Sequence, residues 1–315
     1  MVALPRTPAA AGVLVSAFLL AGGCATPQVA ELLERPGAAL PPRVELTDVP
    51  FHPQAEYQCG PAALATVLNH AGVATPPEAL VRQVYLPARE GSLQAEMLAT
   101  TRRHGLVAYR LAPRLEDVVR EIASGHPVVV LQNLAFAFAP LWHYAVAVGY
   151  DLPREEIVLR SGTTRRLVTT LANFERTWAR SEYWAMTALS PRQLPASATE
   201  ERYVASVVAL ERVAVQAART GYATALARWP GNLLARIGLG NAAYATGDLP
   251  GAEAAYREAL RDHPQAADAW NNLAQVLHES GRRDEALAAA ERAVTIGGPR
   301  LSLYQSTLKA IAASP

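Results

Sequence analysis

The sequence feature that most constrains the fold is a 34-residue spacing in the last third of the chain. Pro230 and Pro264 lie 34 residues apart, as do Gly247 and Gly281. The segments between these turn residues are rich in alanine and leucine at helical spacing. Periods of this length indicate stacked structural units, each of which buries its apolar face against the next. The region from about residue 200 onward is therefore predicted to be all-α and built from repeats.

Small residues recur at equivalent positions of these units. One unit carries Leu239-Gly240, Ala252, Tyr256, Ala259 and Pro264. The next carries Trp270, Leu273-Ala274, Ala286, Ala290 and Ala293. A degenerate unit precedes both, with Ala218, Tyr222, Ala225 and Pro230. The pattern resembles the tetratricopeptide repeat and implies about three repeats over residues 200–315, with a surface for peptides or protein partners. A generic alanine-rich helical bundle is the alternative.

The N-terminus predicts export and lipidation. A single arginine precedes an apolar run over residues 9–21, which is too short to span a bilayer and is typical of a secretory signal. The run ends in Leu20-Ala21-Gly22-Gly23-Cys24, which resembles a bacterial lipobox. The resemblance implies a signal peptide over residues 1–23 and a diacylated Cys24. Ala25, rather than aspartate, then implies the outer membrane and a chain facing the periplasm. A plain signal peptide with an incidental cysteine is the alternative.

Composition divides the remaining chain into two domains. A proline- and alanine-bearing tether is expected over residues 24–44, and a seam rich in proline, serine and threonine follows residue 190. Between them, helical patterns such as residues 60–69 come first. Strand-like patterns follow, including a hairpin that joins residues 143–150 to residues 156–160. This order predicts an α+β domain over residues 45–190.

Cys59 is the candidate nucleophile. The chain has two cysteines, so acylation of Cys24 would leave Cys59 as a free thiol in a compartment where disulfides are common. It lies in Gln58-Cys59-Gly60-Pro61, where a loop turns into a helix and proline is tolerated in the first turn. The positive end of a helix favours a thiolate. A buried cysteine that acts as a small apolar residue is the alternative.

Three segments together resemble a known peptidase family. They are Gln54, Cys59-Gly60-Pro61-Ala62-Ala63-Leu64, and Trp142 to Asp151 with His143 near its start. They are similar to the papain-like peptidases that trim double-glycine leaders from bacteriocins, over about residues 48–190. The resemblance implies that Cys59 is the nucleophile and that His143 is its base and later the acid. It also implies that the Gln54 amide forms an oxyanion hole with the backbone N–H of Cys59.

The third member of the expected triad is absent. Asp151 ends the strand that His143 begins, which places them roughly 26 Å apart at about 3.3 Å per residue. Folding the hairpin back places residues 160–164 beside His143, where the family has an aspartate, and this window contains no carboxylate. We therefore expect a Cys–His pair, as thiolate and imidazolium, with Ser161 or a backbone carbonyl orienting the ring.

The segment of residues 135–142, just ahead of His143, is unusually apolar for a connection. The favoured interpretation is a loop packed into the core. The alternative is a wall of the substrate cleft that binds apolar side chains.

Composition and motifs limit the function classes. A formal net charge of +1 gives no electrostatic footprint for nucleic acid. No metal-ligand spacing and no phosphate loop are present, so no metal and no cofactor are expected. The predicted function is a lipid-anchored cysteine peptidase whose repeats recruit a substrate or partner, with a thiol amidase or acyl transferase as variants. The alternative is a periplasmic scaffold lipoprotein with a weak or inactive papain-like domain.

Overall fold

A computed structural model describes residues 26–34, 40–53 and 58–314. Its elements in chain order are α1 (Pro27–Glu34), β1 (Arg43–Glu45), α2 (Cys59–His70), α3 (Pro77–Val84), β2 (Tyr85–Leu86), β3 (Gly91–Ser92), α4 (Gln94–Arg103), β4 (Val107–Arg110), α5 (Leu115–Ala123), β5 (Val128–Asn133), β6 (Trp142–Asp151), β7 (Glu156–Ser161), β8 (Thr164–Thr170), α6 (Leu171–Ala179), β9 (Ala185–Leu189), α7 (Glu200–Glu211), α8 (Val215–Arg228), α9 (Leu233–Ala245), α10 (Leu249–Asp262), α11 (Ala267–Glu279), α12 (Arg283–Ile296) and α13 (Leu301–Ala313).

An antiparallel sheet forms the centre of the first domain. Its strands run in the order β4-β9-β5-β6-β7-β8, and β1 pairs with β6 as well. β5 is buried along its whole length, because its run of valines packs on both faces of the sheet. β5 and β6 pair antiparallel, so the C-terminal end of β5 lies beside the N-terminal end of β6, with Gln132 opposite His143.

Helices cover both faces of this sheet. Tyr144 and Val146 of β6 face one core, which also contains residues of α2, α3 and α4. Ala145 and Ala147 face the other core, with α1, α5, α6 and the first two repeat helices. The alternation follows from the two-residue period of a strand. The nucleophile helix and the repeats consequently lie on opposite faces of one sheet.

The C-terminal helices stack as antiparallel pairs through contacts between glycine and tyrosine. A Cβ on Gly238 would lie 2.3 Å from the Tyr222 ring, and one on Gly240 would lie 2.4 Å from the Tyr256 ring. Both tyrosines are buried. Tyr222 and Tyr256 are 34 residues apart, and their rings pack on either side of α9 against residues without a side chain.

A buried carboxylate joins the two domains. Glu121 of α5 accepts hydrogen bonds from the backbone N–H and hydroxyl of Ser197, at 2.7 and 2.6 Å. The hydroxyl of Tyr109 donates to the Ser197 carbonyl at 3.1 Å. Tyr203 of α7 is fully buried in the same core as the sheet. The connection between the sheet and the repeats is therefore a packed and hydrogen-bonded junction.

The expectation of an α+β domain followed by helical repeats is confirmed. The helix predicted at residues 60–69 is α2, and the predicted hairpin is formed by β6 and β7. The expectation of a tether over residues 24–44 is wrong in part. Within that stretch α1 buries Val29 and Leu32 in the core, because its apolar stripe packs on α5 and α6. In the part of the chain that the structure describes, no helix combines the length and apolarity needed to cross a bilayer.

Candidate active site

Cys59 is the first residue of α2 and lies beside the start of β6. The backbone N–H groups of Tyr144, Gly60 and Cys59 itself point to its sulfur. Such donors favour a thiolate, but burial of the side chain outweighs them. Burial therefore raises the pKa of the Cys59 thiol above its usual value of 9.0.

Glycine at position 60 allows α2 to approach β3 closely. A Cβ at Gly60 would lie 2.2 Å from Oγ and 2.5 Å from Cβ of Ser92. The hydroxyl of Tyr144 in turn donates to the Ser92 carbonyl at 3.2 Å. Because Gly60 has no side chain, α2 can pack closely on β3, and this packing places the Cys59 sulfur against β6.

His143 is the second residue of β6 and is oriented by Ser161 at the end of β7. Its Nε2 lies 2.8 Å from the Ser161 Oγ. If Nε2 carries the proton and donates to this oxygen, Nδ1 is left as the acceptor. Burial lowers the pKa of His143 below 6.5. The lowered pKa favours the neutral ring, which is able to accept a proton.

These two pKa shifts favour an uncharged resting pair. A raised thiol pKa and a lowered imidazole pKa both leave the proton on sulfur. The sequence predicted thiolate and imidazolium, from the helix N-terminus and a nearby histidine. The physical reason for the difference is desolvation, which penalises both charged forms and is not visible in a linear sequence.

Arg160, the residue before Ser161, connects three backbone segments near the site. It is buried on β7, and its guanidinium donates to the carbonyls of Arg165, Leu46 and Val49. These bonds tie the turn after Ser161 to the segment that leads into residues 50–53. Nε2 of His52 contacts the Asn69 side chain at 2.9 Å, which fixes the same segment to α2.

The remaining predicted site residues have separate outcomes. Cys24 and Gln54 lie outside the described residues, so their lipidation and oxyanion roles stay predictions. Asp151 lies at the far end of β6, where it pairs with Arg43 at 3.3 Å. Its exclusion as the orienting acid therefore agrees with the structure. Among the described residues, no group of three or more His, Cys, Asp or Glu side chains could hold a metal.

The apolar connection ahead of His143 is not packed into the core, so the favoured interpretation was wrong. Phe136 and Phe138 are 65% and 86% exposed, and Trp142 is 50% exposed. The connection is a short loop between neighbouring strands, and such a loop extends beyond the sheet rather than beneath it.

Three contributors to the site were missed in the sequence. They are the Tyr144 backbone N–H at the sulfur, the packing of Ser92 on Gly60, and the carbonyl contacts of Arg160. The Tyr144 contact could have been predicted, because Tyr144 directly follows His143 and its backbone N–H belongs to the same start of β6. The contacts of Ser92 and Arg160 could not, because they are made by distant segments.

The fold and the site define a papain-like α+β domain followed by helical repeats. Residues 46–186 match the model of the Peptidase_C39 like family, and residues 203–265 and 237–300 match the tetratricopeptide repeat model. The chain thus carries a C39-like peptidase domain and C-terminal tetratricopeptide repeats, as the two resemblances implied.

One solved structure with similarity to the first domain is the crystal structure of a C39-like peptidase from Bacillus anthracis. It is 19% identical, with a TM-score of 0.39, and the match covers 47% of this chain and 97% of that chain. No curated protein matches the sequence.

Proposed function

We propose that this protein is a cysteine peptidase, anchored through lipidated Cys24 to the bacterial outer membrane and facing the periplasm. The observation that carries the proposal is the Cys59 thiol at the N-terminus of α2, in contact with the backbone N–H of Tyr144. The residue before Tyr144 is His143, whose ring is held by Ser161. Cys59 and His143 are thus the proposed thiol and base, with Ser161 as the proposed orienting group.

The reaction begins with both partners neutral. As the Cys59 sulfur attacks the substrate carbonyl, His143 takes the thiol proton and becomes imidazolium. The carbonyl oxygen gains negative charge, which the backbone N–H of Cys59 stabilises, and the Gln54 amide is the proposed second donor. His143 then returns its proton to the leaving amine, and an acyl-enzyme forms on Cys59.

A water molecule completes the cycle. His143 removes a proton from this water, which attacks the acyl carbon and releases the carboxylate product and the thiol. Capture of the acyl-enzyme by an amine in place of water would give a transferase, and a smaller amide substrate would give an amidase. The repeats recruit the protein substrate or a partner, as repeat arrays that present extended surfaces do.

Two observations favour a second candidate function. The partner of His143 is a neutral hydroxyl, and the thiol pKa is raised rather than lowered. Both features would suit a catalytically inactive site in a scaffold lipoprotein whose repeats bind the partners. This alternative differs from the peptidase in one measurable property, the dependence of Cys59 reactivity on His143.

The test is alkylation of Cys59 by iodoacetamide between pH 5 and 10, in the mature chain and in its His143→Ala variant. For a peptidase we expect the mature chain to react at least about tenfold faster at pH 7, because His143 shares the thiol proton. Equal rates in the two proteins, rising together only above pH 9, would establish the scaffold. Labelling of cells with radioactive palmitate tests the anchor separately, since Cys24→Ala must lose the label.

A further inference from the structure

Apolar side chains are concentrated in the loop of residues 134–142, here called the aromatic loop. Of the ten exposed large apolar residues in the described part of the chain, five lie in this loop: Leu134, Phe136, Phe138, Leu141 and Trp142. None of its nine residues is charged. The rings of Phe136 and Phe138 stack at 5.3 Å, outside the core. A surface of this kind marks an interaction site rather than ordinary exposure.

The aromatic loop satisfies much of its own backbone. Asn133 Oδ1 accepts the N–H groups of Ala135 and Leu141, at 3.1 and 2.9 Å. The N–H of Leu134 donates to the Leu141 carbonyl, and that of Ala139 to the Phe136 carbonyl. Irregular backbone is costly in an apolar medium unless its polar groups are paired. Because many of its backbone polar groups are paired, the tip of the loop can move from water into an apolar medium at a lower cost.

A chain of contacts connects the aromatic loop to the start of α1. The Arg180 guanidinium donates to the carbonyls of Asn133 and Ala135, at 3.0 and 2.6 Å. Arg180 follows α6 directly, and Glu175 of α6 accepts the backbone N–H groups at the start of α1. Glu175 and Arg180 are five residues apart, which is about 7.5 Å along a helix.

The sheet topology gives the same placement independently. The Gln28 side chain of α1 accepts the N–H of Leu115, the first residue of α5, at 2.6 Å. α5 begins just after β4 ends, and Leu111 there bonds to Ala185 at the start of β9. Since β9 begins opposite Val130 and runs away from the C-terminal end of β5, the start of α1 and the aromatic loop lie at one end of the sheet. Cys24 precedes Pro27 by three residues, a reach of about 10 Å.

We propose that the aromatic loop inserts into the interface of the same bilayer that holds the acylated Cys24. This inference rests on the proposed lipid anchor, which brings the loop to the membrane. Aromatic side chains without neighbouring charges suit the headgroup boundary, and Arg180 at the base of the loop suits the headgroups themselves. The lipid and the loop then form two contacts, which orient the domain and not merely tether it.

Insertion of the loop would place the candidate active site near the bilayer surface. Trp142 begins β6 opposite Asn133 at the base of the loop, and His143 is the next residue, so the general base lies at the end of the sheet that the loop would bring to the bilayer. Cys59 contacts Tyr144, two residues from Trp142. The substrate class that this arrangement favours is a polypeptide segment at the membrane surface, in preference to a free peptide in the periplasm.

The experiment is vesicle flotation with the mature chain, residues 24–315, made without lipid through Cys24→Ser. The vesicles contain phosphatidylethanolamine and phosphatidylglycerol at 3:1. The test variant is Phe136→Ser with Phe138→Ser, and the matched control is Leu234→Ser with Leu303→Ser, which are 55% and 48% exposed on the repeats. We expect the test pair to lower the partition coefficient at least about tenfold, and the control pair to leave it within about twofold.

Two results would overturn the proposal. The first is a parent chain that does not float at millimolar lipid, and the second is a test pair that floats as well as the parent. If the second result comes with a raised KM for a soluble peptide, the loop is a wall of the substrate cleft instead. Melting temperatures must agree among the variants, as expected for exposed positions. Palmitate labelling reports on Cys24 alone, so failure of the anchor and failure of the loop are separable.

Discussion

The sheet domain and the repeat array differ in what they bury. Of the buried polar and charged side chains in the described residues, all but two lie before residue 200, the exceptions being Asn271 and Thr307. The sheet domain contains Glu121, Glu175 and Arg160, each with several hydrogen bonds. The array contains mostly alanine, leucine and tyrosine inside.

This difference teaches how each region obtains its geometry. Buried hydrogen-bonded groups tolerate few alternative arrangements, so they can fix a catalytic end of a sheet. The array instead packs small residues against rings and places its charges outside, as in the surface pair of Arg257 with Glu285 at 3.3 Å. Exposed pairs of this kind contribute little stability. The array is therefore built for repetition and surface, and the sheet domain for a single site.

The largest expected effect tests whether the chemistry belongs to the sheet domain alone. His143→Ala should lower kcat/KM for a cleavable peptide by at least about a thousandfold, or about 4 kcal/mol, because the general base is lost. The matched control is His263→Ala in the array, where Nε2 only meets the Gly231 carbonyl at 2.9 Å. Steady-state kinetics on both variants makes the comparison. Equal losses from the two would end the assignment of chemistry to one region.

The second effect concerns the junction between the two regions. Glu121→Ala removes the acceptor of the Ser197 N–H and the partner of His126, which lies 2.7 Å away. We expect unfolding to become easier by about 3 kcal/mol, because buried polar groups lose their partner. Urea denaturation measures this. Glu116→Ala on the same helix, with a half-exposed carboxylate, should change stability by less than about 0.5 kcal/mol.

The third effect sharpens the account of the array. Gly238→Ala places a Cβ against the Tyr222 ring and should destabilise the protein by about 2 kcal/mol. Peptidase activity of the folded fraction should stay within about twofold, since the site is on the other face of the sheet. Gly231→Ala, with no atom within 4 Å of the added Cβ, is the control. A similar melting temperature for both variants would disprove the ring-on-glycine packing.

The smallest effect distinguishes a dyad from a disguised triad. Burial lowers the pKa of His143 below 6.5, so kcat/KM should decline only as the pH falls below that value, when the base becomes protonated. Ser161→Ala should cost about tenfold in kcat/KM at pH 7, because the ring loses one hydrogen bond. Ser161→Asp should move the acid limb of the pH profile upward, since a carboxylate raises the pKa of the imidazole.

Two results with the Ser161 variants would contradict this account. A loss from Ser161→Ala as severe as that from Cys59→Ala would show that Ser161 is essential and not auxiliary. An acid limb that does not move in Ser161→Asp would show that another group, not His143, is titrating.

Predictability followed the range of the interactions involved. The α2 helix and the β6–β7 hairpin depend on local periods and turns, and both were predicted within two residues of their bounds. The hairpin then allowed Ser161 to be placed beside His143 by counting residues, and the 2.8 Å contact agrees with that count. Strands β4 and β8 were not predicted, because short or exposed strands lack a clear period.

The exposed aromatic loop shows where apolar composition alone misleads. Apolar residues usually mark a core, so residues 135–142 were interpreted as buried. Whether such a segment is buried depends on what lies above the sheet end at that point, and nothing in the described structure covers it. The pKa shift of Cys59 was not predictable for the same reason, since desolvation is set by surrounding atoms from many segments.

The sequence by itself determined the two-domain order, the repeat period and the hairpin that places Ser161 beside His143. Each of these depends on local spacing, which a linear chain carries explicitly. Only the tertiary structure decided that burial raises the pKa of the Cys59 thiol, that Glu121 joins the domains, and that the aromatic loop and the start of α1 share one end of the sheet. Burial and long-range contact arise from packing distant segments together, and their energies exist only once the chain is folded.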